Sequence, residues 1–382
     1  MGLNFSFATA SQILFGNHSL EKVPGLVSKM GNKILLVTGK NTERAEVLIK
    51  LLPTEMEITG FKIESEPSTV MIEQGAKIAR ENNCEMVVGF GGGSVIDGAK
   101  AIAALASNEG ELMDYLEVIG KGKALERAPL PSIAIPTTSG TGAEVTKNSV
   151  IKSLEHNVKV SLRSDLMYPN VAVVDPVLTY SLSPKLTAST GVDALTHLLE
   201  TFVSNQSNPF IDMICREGLY RISRSLVKAY KNGNDEQART DMAMASMWGG
   251  MALANVKLGA VHGFAGPMGG MFSIPHGEIC ACLMAAVIQI NIEVLTEQGQ
   301  NIEKFTELAK ILTGSDLAKA EDAIVWADNL IGELKIPSLS QFGLTENDFP
   351  ELIQKAKVSS SMKGNPVELN DEQLRWILDK SF

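Results

Sequence analysis

Cysteine is scarce in this sequence. Cys84, Cys215, Cys280 and Cys282 are the four in 382 residues. None stands at the CxxC spacing of a zinc finger or a redox centre, which excludes a disulfide scaffold and predicts free thiols in a reducing compartment. Cys280 and Cys282 fall in an apolar, helix-like run and read as packing residues. Basic charge is also in deficit: 34 Lys and Arg against 44 Asp and Glu give a net charge of -10. That balance argues against nucleic acid or an anionic membrane surface as a partner. A run of about 20 apolar residues is missing, and Met1-Gly2-Leu3-Asn4-Phe5-Ser6 has neither the basic n-region nor the apolar h-region of a signal peptide. The expectation is a cytoplasmic protein with no membrane segment.

What the chain has in quantity is apolar residues, 45% of the total. At this length a single hydrophobic core is outgrown, so two domains are expected. The first half alternates β-rich runs with helical periodicity, the pattern of a parallel sheet built from βα units. Lys33–Gly39, Ile58–Ile63, Glu85–Phe90 and Pro131–Ile135 read as strands, with Val158–Leu162 and Val171–Asp175 as two more. Helices are expected from the turn after Gly39 to about Leu52, from Val70 to Glu81 and from Val95 to Ser107. After Pro176 no clear strand appears. The remainder reads as an all-helical domain broken at Pro184, Pro209, Pro267, Pro275 and Pro337, which places the boundary near residue 180: an α/β domain over 1–180 and a helical domain over 181–382. Phe5 to Phe15 form an apolar segment suited either to pairing across an interface or to covering the sheet.

Only five histidines occur, and three are placed unusually. In Gly191-Val192-Asp193-Ala194-Leu195-Thr196-His197 a carboxylate at i and an imidazole at i+4 project from one helix face and can grip a single ion. A carboxylate in an apolar helix needs a partner, and a divalent cation supplies one. His262 in Gly259-Ala260-Val261-His262-Gly263 and His276 in Ile274-Pro275-His276-Gly277 are each flanked by glycine, which lets backbone pass close to a metal or cofactor.

Two polar loops follow strands. Gly91-Gly92-Gly93-Ser94-Val95-Ile96-Asp97 opens a helix, where exposed N–H groups and the positive helix end form an anion site suited to a pyrophosphate. Ser94 with Asp97 matches a capping pattern. Pro136-Thr137-Thr138-Ser139-Gly140-Thr141-Gly142-Ala143-Glu144 ends the next strand. At the carboxyl ends of an open α/β sheet the two loops would lie together, with the hydroxyls of Thr137, Thr138 and Ser139 available to a nucleotide. The usual GxGxxG spacing is absent.

Together these residues resemble the iron-containing, or group III, alcohol dehydrogenases. The similarity runs over nearly the whole chain: GGGSVID at Gly91 with Lys100 behind it, PTTSGTGAE at Pro136, the segment around Lys159, Asp175-Pro176, GVDALTH at Gly191, both His-Gly motifs, and Asn365-Pro366. The resemblance implies a dehydroquinate synthase-like fold, an α/β dinucleotide-binding domain plus an all-α domain, with a cleft for nicotinamide and metal. It implies that Asp193, His197, His262 and His276 hold Fe(2+), with Zn(2+) as the competitor, and that catalysis runs through that ion. It implies cofactor contacts from Gly39, Lys40, Asn41, Gly91, Gly92, Gly93, Ser94, Asp97, Thr137, Thr138, Ser139, Thr141 and Lys159.

The implied reaction is hydride transfer between a small alcohol, aldehyde or ketone and NAD or NADP, in a homodimer or larger homo-oligomer. Two departures stand out. Many members carry a further histidine four residues after His262, where this chain has Gly266, which keeps polyol, hydroxy-acid or phosphonate-type substrates open. NAD-preferring relatives often carry an acid after the first strand; here stand Gly39 and Lys40, with Arg44 nearby, an arrangement that tolerates a 2′-phosphate. A lyase of the dehydroquinate synthase kind would need a more basic pocket. A nucleotide- and metal-binding protein without turnover is the non-enzyme alternative.

Overall fold

The computed structural model describes residues 4–156, 158–272 and 274–382. The chain divides into two compact units, Ala8–Tyr180, and Ser181–Phe382 joined by residues 4–7.

The first unit contains β1 (Gln12–Phe15), α1 (Val23–Val27), β2 (Lys33–Thr38), α2 (Glu46–Ile49), β3 (Glu57–Lys62), α3 (Thr69–Glu81), β4 (Met86–Gly91), α4 (Gly93–Ser107), α5 (Leu112–Tyr115), β5 (Ser132–Pro136), β6 (Asn148–Ser153), β7 (Val158–Arg163) and β8 (Val171–Val174). Six strands form one sheet in the order β1-β8-β5-β4-β2-β3, and every neighbouring pair is parallel. Successive residues of a strand face opposite sides, and here both sides are covered. Ile34, Leu36, Met86 and Val88 pack with Leu20, Val27 and Leu48, whereas Leu35, Val37 and Val87 pack with Ile72, Ala76, Val95 and Ile102 of α3 and α4. α3 forms because Ser68 caps Met71 N and because Ile72, Gly75, Ala76 and Ala79 bury one stripe.

Several elements differ from the sequence expectation. The helix after Gly39 is a short 3-10 turn followed by the four-residue α2. Within the Phe5–Phe15 segment, Gln12–Phe15 do not cover the sheet but extend it as a parallel edge strand beside β8. β6 is an unexpected strand, and β7 pairs antiparallel with it in a separate ribbon rather than joining the parallel sheet.

The second unit contains α6 (Pro184–Val203), α7 (Pro209–Lys231), α8 (Glu236–Asn255), α9 (Ala260–Met271), α10 (His276–Glu297), α11 (Glu303–Thr313), α12 (Asp322–Leu334), α13 (Phe349–Val358) and α14 (Asp371–Ser381). Ser183, Asn208 and Asp235 cap α6, α7 and α8 through their side chains, with Pro184 and Pro209 in the first helical turn, where a missing N–H is harmless. Pro267 is the exception: it sits inside α9 instead of ending it. Burial of Val261, Phe264, Ala265 and Met268 on either side stabilises by about 1.5–3 kcal/mol for each large side chain, which outweighs one lost helical bond of about 3 kcal/mol.

α6 and α10 are buried on nearly all faces. α10 is long and apolar enough by composition to cross a membrane, a property masked in the sequence by Glu278, Gln289 and Asn291, which interrupt the run; most of it is buried inside the unit. A helix apolar all round is a core helix here.

Candidate metal centre and nucleotide loops

α6, α9 and α10 bring their polar side chains to one point. Asp193 and His197 lie one turn apart on α6, His262 in the first turn of α9 and His276 at the start of α10. Nε2 of His262, His197 and His276 stand 3.4, 3.6 and 3.7 Å from Asp193 Oδ1. The His197 and His262 rings stack at 4.6 Å, and the His262 and His276 centroids are 5.3 Å apart. Asp193, His197 and His262 are buried, whereas the His276 side chain is 40% exposed. Burial alone would raise the Asp193 carboxyl, but the surrounding imidazoles, His197 foremost, hold it well below the carboxylate range.

Tetrahedral donors bound to one ion at about 2.0–2.3 Å stand roughly 3.3–3.8 Å apart, so this spacing suits a shared divalent cation. One carboxylate oxygen and three imidazole nitrogens are donors for Fe(II) or Zn(II).

Two further residues complete the cluster and were not assigned to it from sequence. Glu200, one turn beyond His197 on α6, accepts from the N–H of Val261 at 2.7 Å and of His262 at 3.3 Å, and its Oε2 lies 2.7 Å from His262 Nδ1. With the ring donating there, the Nε2 lone pair is left facing Asp193, which fixes the tautomer a ligand needs. Cys280, read as a packing residue, is buried with Sγ 3.8 Å from both Asp193 Oδ1 and His262 Nε2. Glu200→Gln keeps the volume but loses the charged acceptor, and metal affinity is expected to fall about 10–100-fold with little change in fold. Metal titration against a chromophoric chelator checks this, and unchanged affinity would remove Glu200 from the site.

In the α/β unit the chain runs from β2 outward to β3 and returns on the other side of β2 as β4. The carboxyl ends of β2 and β4 therefore flank the topological switch point, where open sheets take ligands. Gly39 follows β2; Gly91 ends β4. Gly92 is the N-cap of α4 and offers no side-chain cap, so the capping role expected for Ser94 and Asp97 does not hold. Asp97 instead pairs with Lys100 at 2.9 Å and accepts from Val150 N, which ties α4 to β6. Ser94 lies in the first turn of α4.

The β5 loop closes on the glycines. Thr137 N donates to Gly91 O at 2.9 Å, and Thr138 packs beside Gly92. A Cβ on Gly93 would lie 2.6 Å from the Thr141 side chain, so bare backbone is required there. Ser139 is buried, and its Oγ finds no partner among the described residues. Such an orphaned hydroxyl, on the loop whose Thr138 and Thr141 pack against the start of α4, fits a bound polar group.

The other expected cofactor residues are less concentrated. Lys40 is exposed, Asn41 Oδ1 caps Glu43 N, and Arg44 donates to Leu178 O at 3.0 Å. Lys159, on β7, makes an ion pair with Glu66.

Glu144, at the end of the β5 loop, is buried, and desolvation pushes its carboxyl up to about 7 against weaker pulls from its own backbone N–H and Lys100. The folded state therefore holds a proton that the unfolded chain releases near its ordinary 4.5. Stability is lost as pH rises between those values. Glu144→Gln should raise stability at pH 8 by about 3 kcal/mol and leave it nearly unchanged at pH 4, read from urea midpoints. An equal difference at both pH values would contradict this.

Comparison with known proteins agrees with the geometry. Residues 10–176 match the profile of iron-containing alcohol dehydrogenase, and residues 187–382 match that of the Fe-containing alcohol dehydrogenase family, C-terminal. The chain belongs to the iron-containing alcohol dehydrogenase family. Alcohol dehydrogenase 4 of Saccharomyces cerevisiae is 38% identical over 322 residues, 84% of this chain and 82% of that protein. A crystal structure of 1,3-propanediol oxidoreductase superposes with a TM-score of 0.93 at 31% identity, covering 100% of both chains. Sulfoacetaldehyde reductase from Bifidobacterium kashiwanohense, solved in complex with NAD+, gives 0.90 at 30% identity, covering 100% of this chain and 99% of that one. Membership of this family makes the chain an oxidoreductase of the metal-dependent, nicotinamide-linked alcohol dehydrogenase type.

Proposed function

We propose that the chain interconverts a small alcohol and its aldehyde or ketone, using NADP or NAD, with a divalent ion held by Asp193, His197, His262 and His276. The observation that carries this reading is the meeting of one carboxylate and three imidazoles within 3.7 Å of Asp193 Oδ1. When bound, the ion supplies Lewis acidity toward the substrate oxygen and the nicotinamide accepts or donates hydride. Asp193 contributes a negative charge to the ligand set. Glu200 orients His262. His276, with its half-exposed ring, marks the side of the ligand set that is open to water. Gly266, one turn after His262, is exposed, and a Cβ placed on it would meet no atom within 4 Å, so the relay passes through water rather than through a residue at that position.

Gly91–Gly93 and the hydroxyls of Thr137, Thr138 and Ser139 are assigned to the cofactor phosphates, with Thr141 bracing Gly93. The turn Gly39-Lys40-Asn41 offers no carboxylate to a ribose, and exposed Lys40 complements a 2′-phosphate, which supports NADPH as a cofactor alongside NADH. Arg44 and Lys159 serve the fold through Leu178 and Glu66. Iron is the proposed native ion, with zinc competing. The four cysteines are free, which supports a reducing, cytoplasmic setting. Exposed Phe5, Phe210 and Met213 on the helical unit support association into a homodimer or larger oligomer.

Anaerobic purification followed by metal analysis and aldehyde reduction with each cofactor tests the whole reading. Turnover that requires Fe(II) or Zn(II) and proceeds with NADPH is the expected result. Metal-independent turnover would overturn it.

A further inference from the structure

The ligand set implied by the family leaves one buried side chain in the metal cluster unexplained. Cys280 lies one turn after His276 on α10, the same i,i+4 relation that joins Asp193 to His197 on α6. Its thiol is buried among the donors: Sγ is 3.8 Å from Asp193 Oδ1 and 3.8 Å from His262 Nε2, and one donor atom from each of Asp193, His262, His276 and Cys280 falls within 4.8 Å of all the others. We infer that Cys280 is a further ligand of this site, binding the cation through Sγ as a thiolate. This rests on the metal-site reading above and deepens it.

The geometry favours a ligand over a bystander. A thiolate bonded at about 2.3 Å would stand roughly 3.5 Å from an oxygen or nitrogen bonded at about 2.0–2.1 Å, so contraction by a few tenths of an ångström brings Sγ to that spacing from Asp193 Oδ1 and His262 Nε2. The alternative role for the thiol is a hydrogen bond to Asp193, and at 3.8 Å a thiol donor forms a weak one. Binding replaces the Cys280 S–H bond with an S–metal bond; the proton goes to solvent, and no electron is transferred. The chemical consequence is a shift in metal choice. A soft thiolate added to a carboxylate and imidazoles raises the preference for zinc over iron.

The full chain, stripped of metal and reloaded with Co(II), provides the test. One cobalt per chain with a thiolate-to-cobalt charge-transfer band in the near ultraviolet is the expected spectrum. Cys280→Ser and Cys280→Ala should both lose that band while still binding cobalt, and Cys282→Ser, whose thiol donates to Pro337 O, should keep it. In competition between Fe(II) and Zn(II), Cys280→Ser should move the bound ratio toward iron by about tenfold or more. Stoichiometric cobalt without the band in the unaltered protein, or a band that survives both Cys280 variants, overturns the Cys280 assignment alone. Failure of the unaltered protein to bind cobalt overturns the metal-site reading and this inference with it.

Discussion

Replacing His262 by alanine is expected to bring the metal content of the purified protein close to zero and to lower kcat/KM by on the order of 10³-fold or more. The size of the effect follows from its place in the cluster. His262 Nε2 makes the shortest approach to Asp193 among the three imidazoles, 3.4 Å, and its other nitrogen is committed to Glu200. Loss of a residue that only orients a ligand typically costs 10–100-fold, so loss of a ligand itself costs more. The cavity left behind also strands Glu200, whose buried carboxylate would keep only the backbone N–H groups of Val261 and His262. Inductively coupled plasma analysis and steady-state kinetics on the same preparation check both parts. Metal content near that of the unaltered protein would show that the remaining donors suffice and that His262 is a structural residue.

How much of this was legible in sequence depends on which physical signal each residue emits. The four central strands of the sheet were visible because both faces are buried, which makes runs such as Lys33–Thr38 and Met86–Gly91 almost continuously apolar. β1 and β6 were not visible: one is a four-residue edge strand, and the other alternates buried and half-exposed residues in a two-stranded ribbon. The Asp193 and His197 pairing could be read from helical spacing within one segment. That His262 and His276 meet it could not be read from spacing, since their proximity depends on how α9 and α10 pack on α6; glycine neighbours and the family resemblance pointed to them. Gly277 shows what the packing demands, because a Cβ there would lie 1.9 Å from Ser189 O of α6.

Cys280 packs in the helical core as its apolar neighbours indicate, but those neighbours signal burial without signalling that its thiol also meets Asp193 and His262. Its i,i+4 relation to His276 carries the same information as the spacing of Asp193 and His197. Glu200 was equally accessible, one turn past His197, yet a glutamate within a helix gives no sign in sequence of which backbone N–H groups it will meet. The capping role given to Ser94 and Asp97 failed because Gly92 starts the helix and Lys100 claims the carboxylate.

The second large effect concerns the other unit and separates cofactor binding from metal binding. Gly93→Ala places a methyl group 2.6 Å from Thr141, so either the β5 loop or the first turn of α4 must move. Both carry groups assigned to the cofactor: the N–H groups at the start of α4 and the hydroxyls of Thr138 and Ser139. A shift of about 1 Å in a positioning element can cost on the order of 10²-fold. The Kd for NADPH is therefore expected to rise about 100-fold, measured by quenching of protein fluorescence or by calorimetry, while metal content stays at its original level because all its ligands lie on α6, α9 and α10. A small change in unfolding midpoint is also expected, since the displaced elements are a loop and one helical turn rather than the sheet. If NADPH binding is unaffected while the protein stays folded, the glycine loop is a tight turn and the cofactor phosphates must be held elsewhere. If metal is lost together with NADPH, damage has spread through the fold, and Thr141→Ser, which relieves the contact on the opposite side, should restore binding in the double variant.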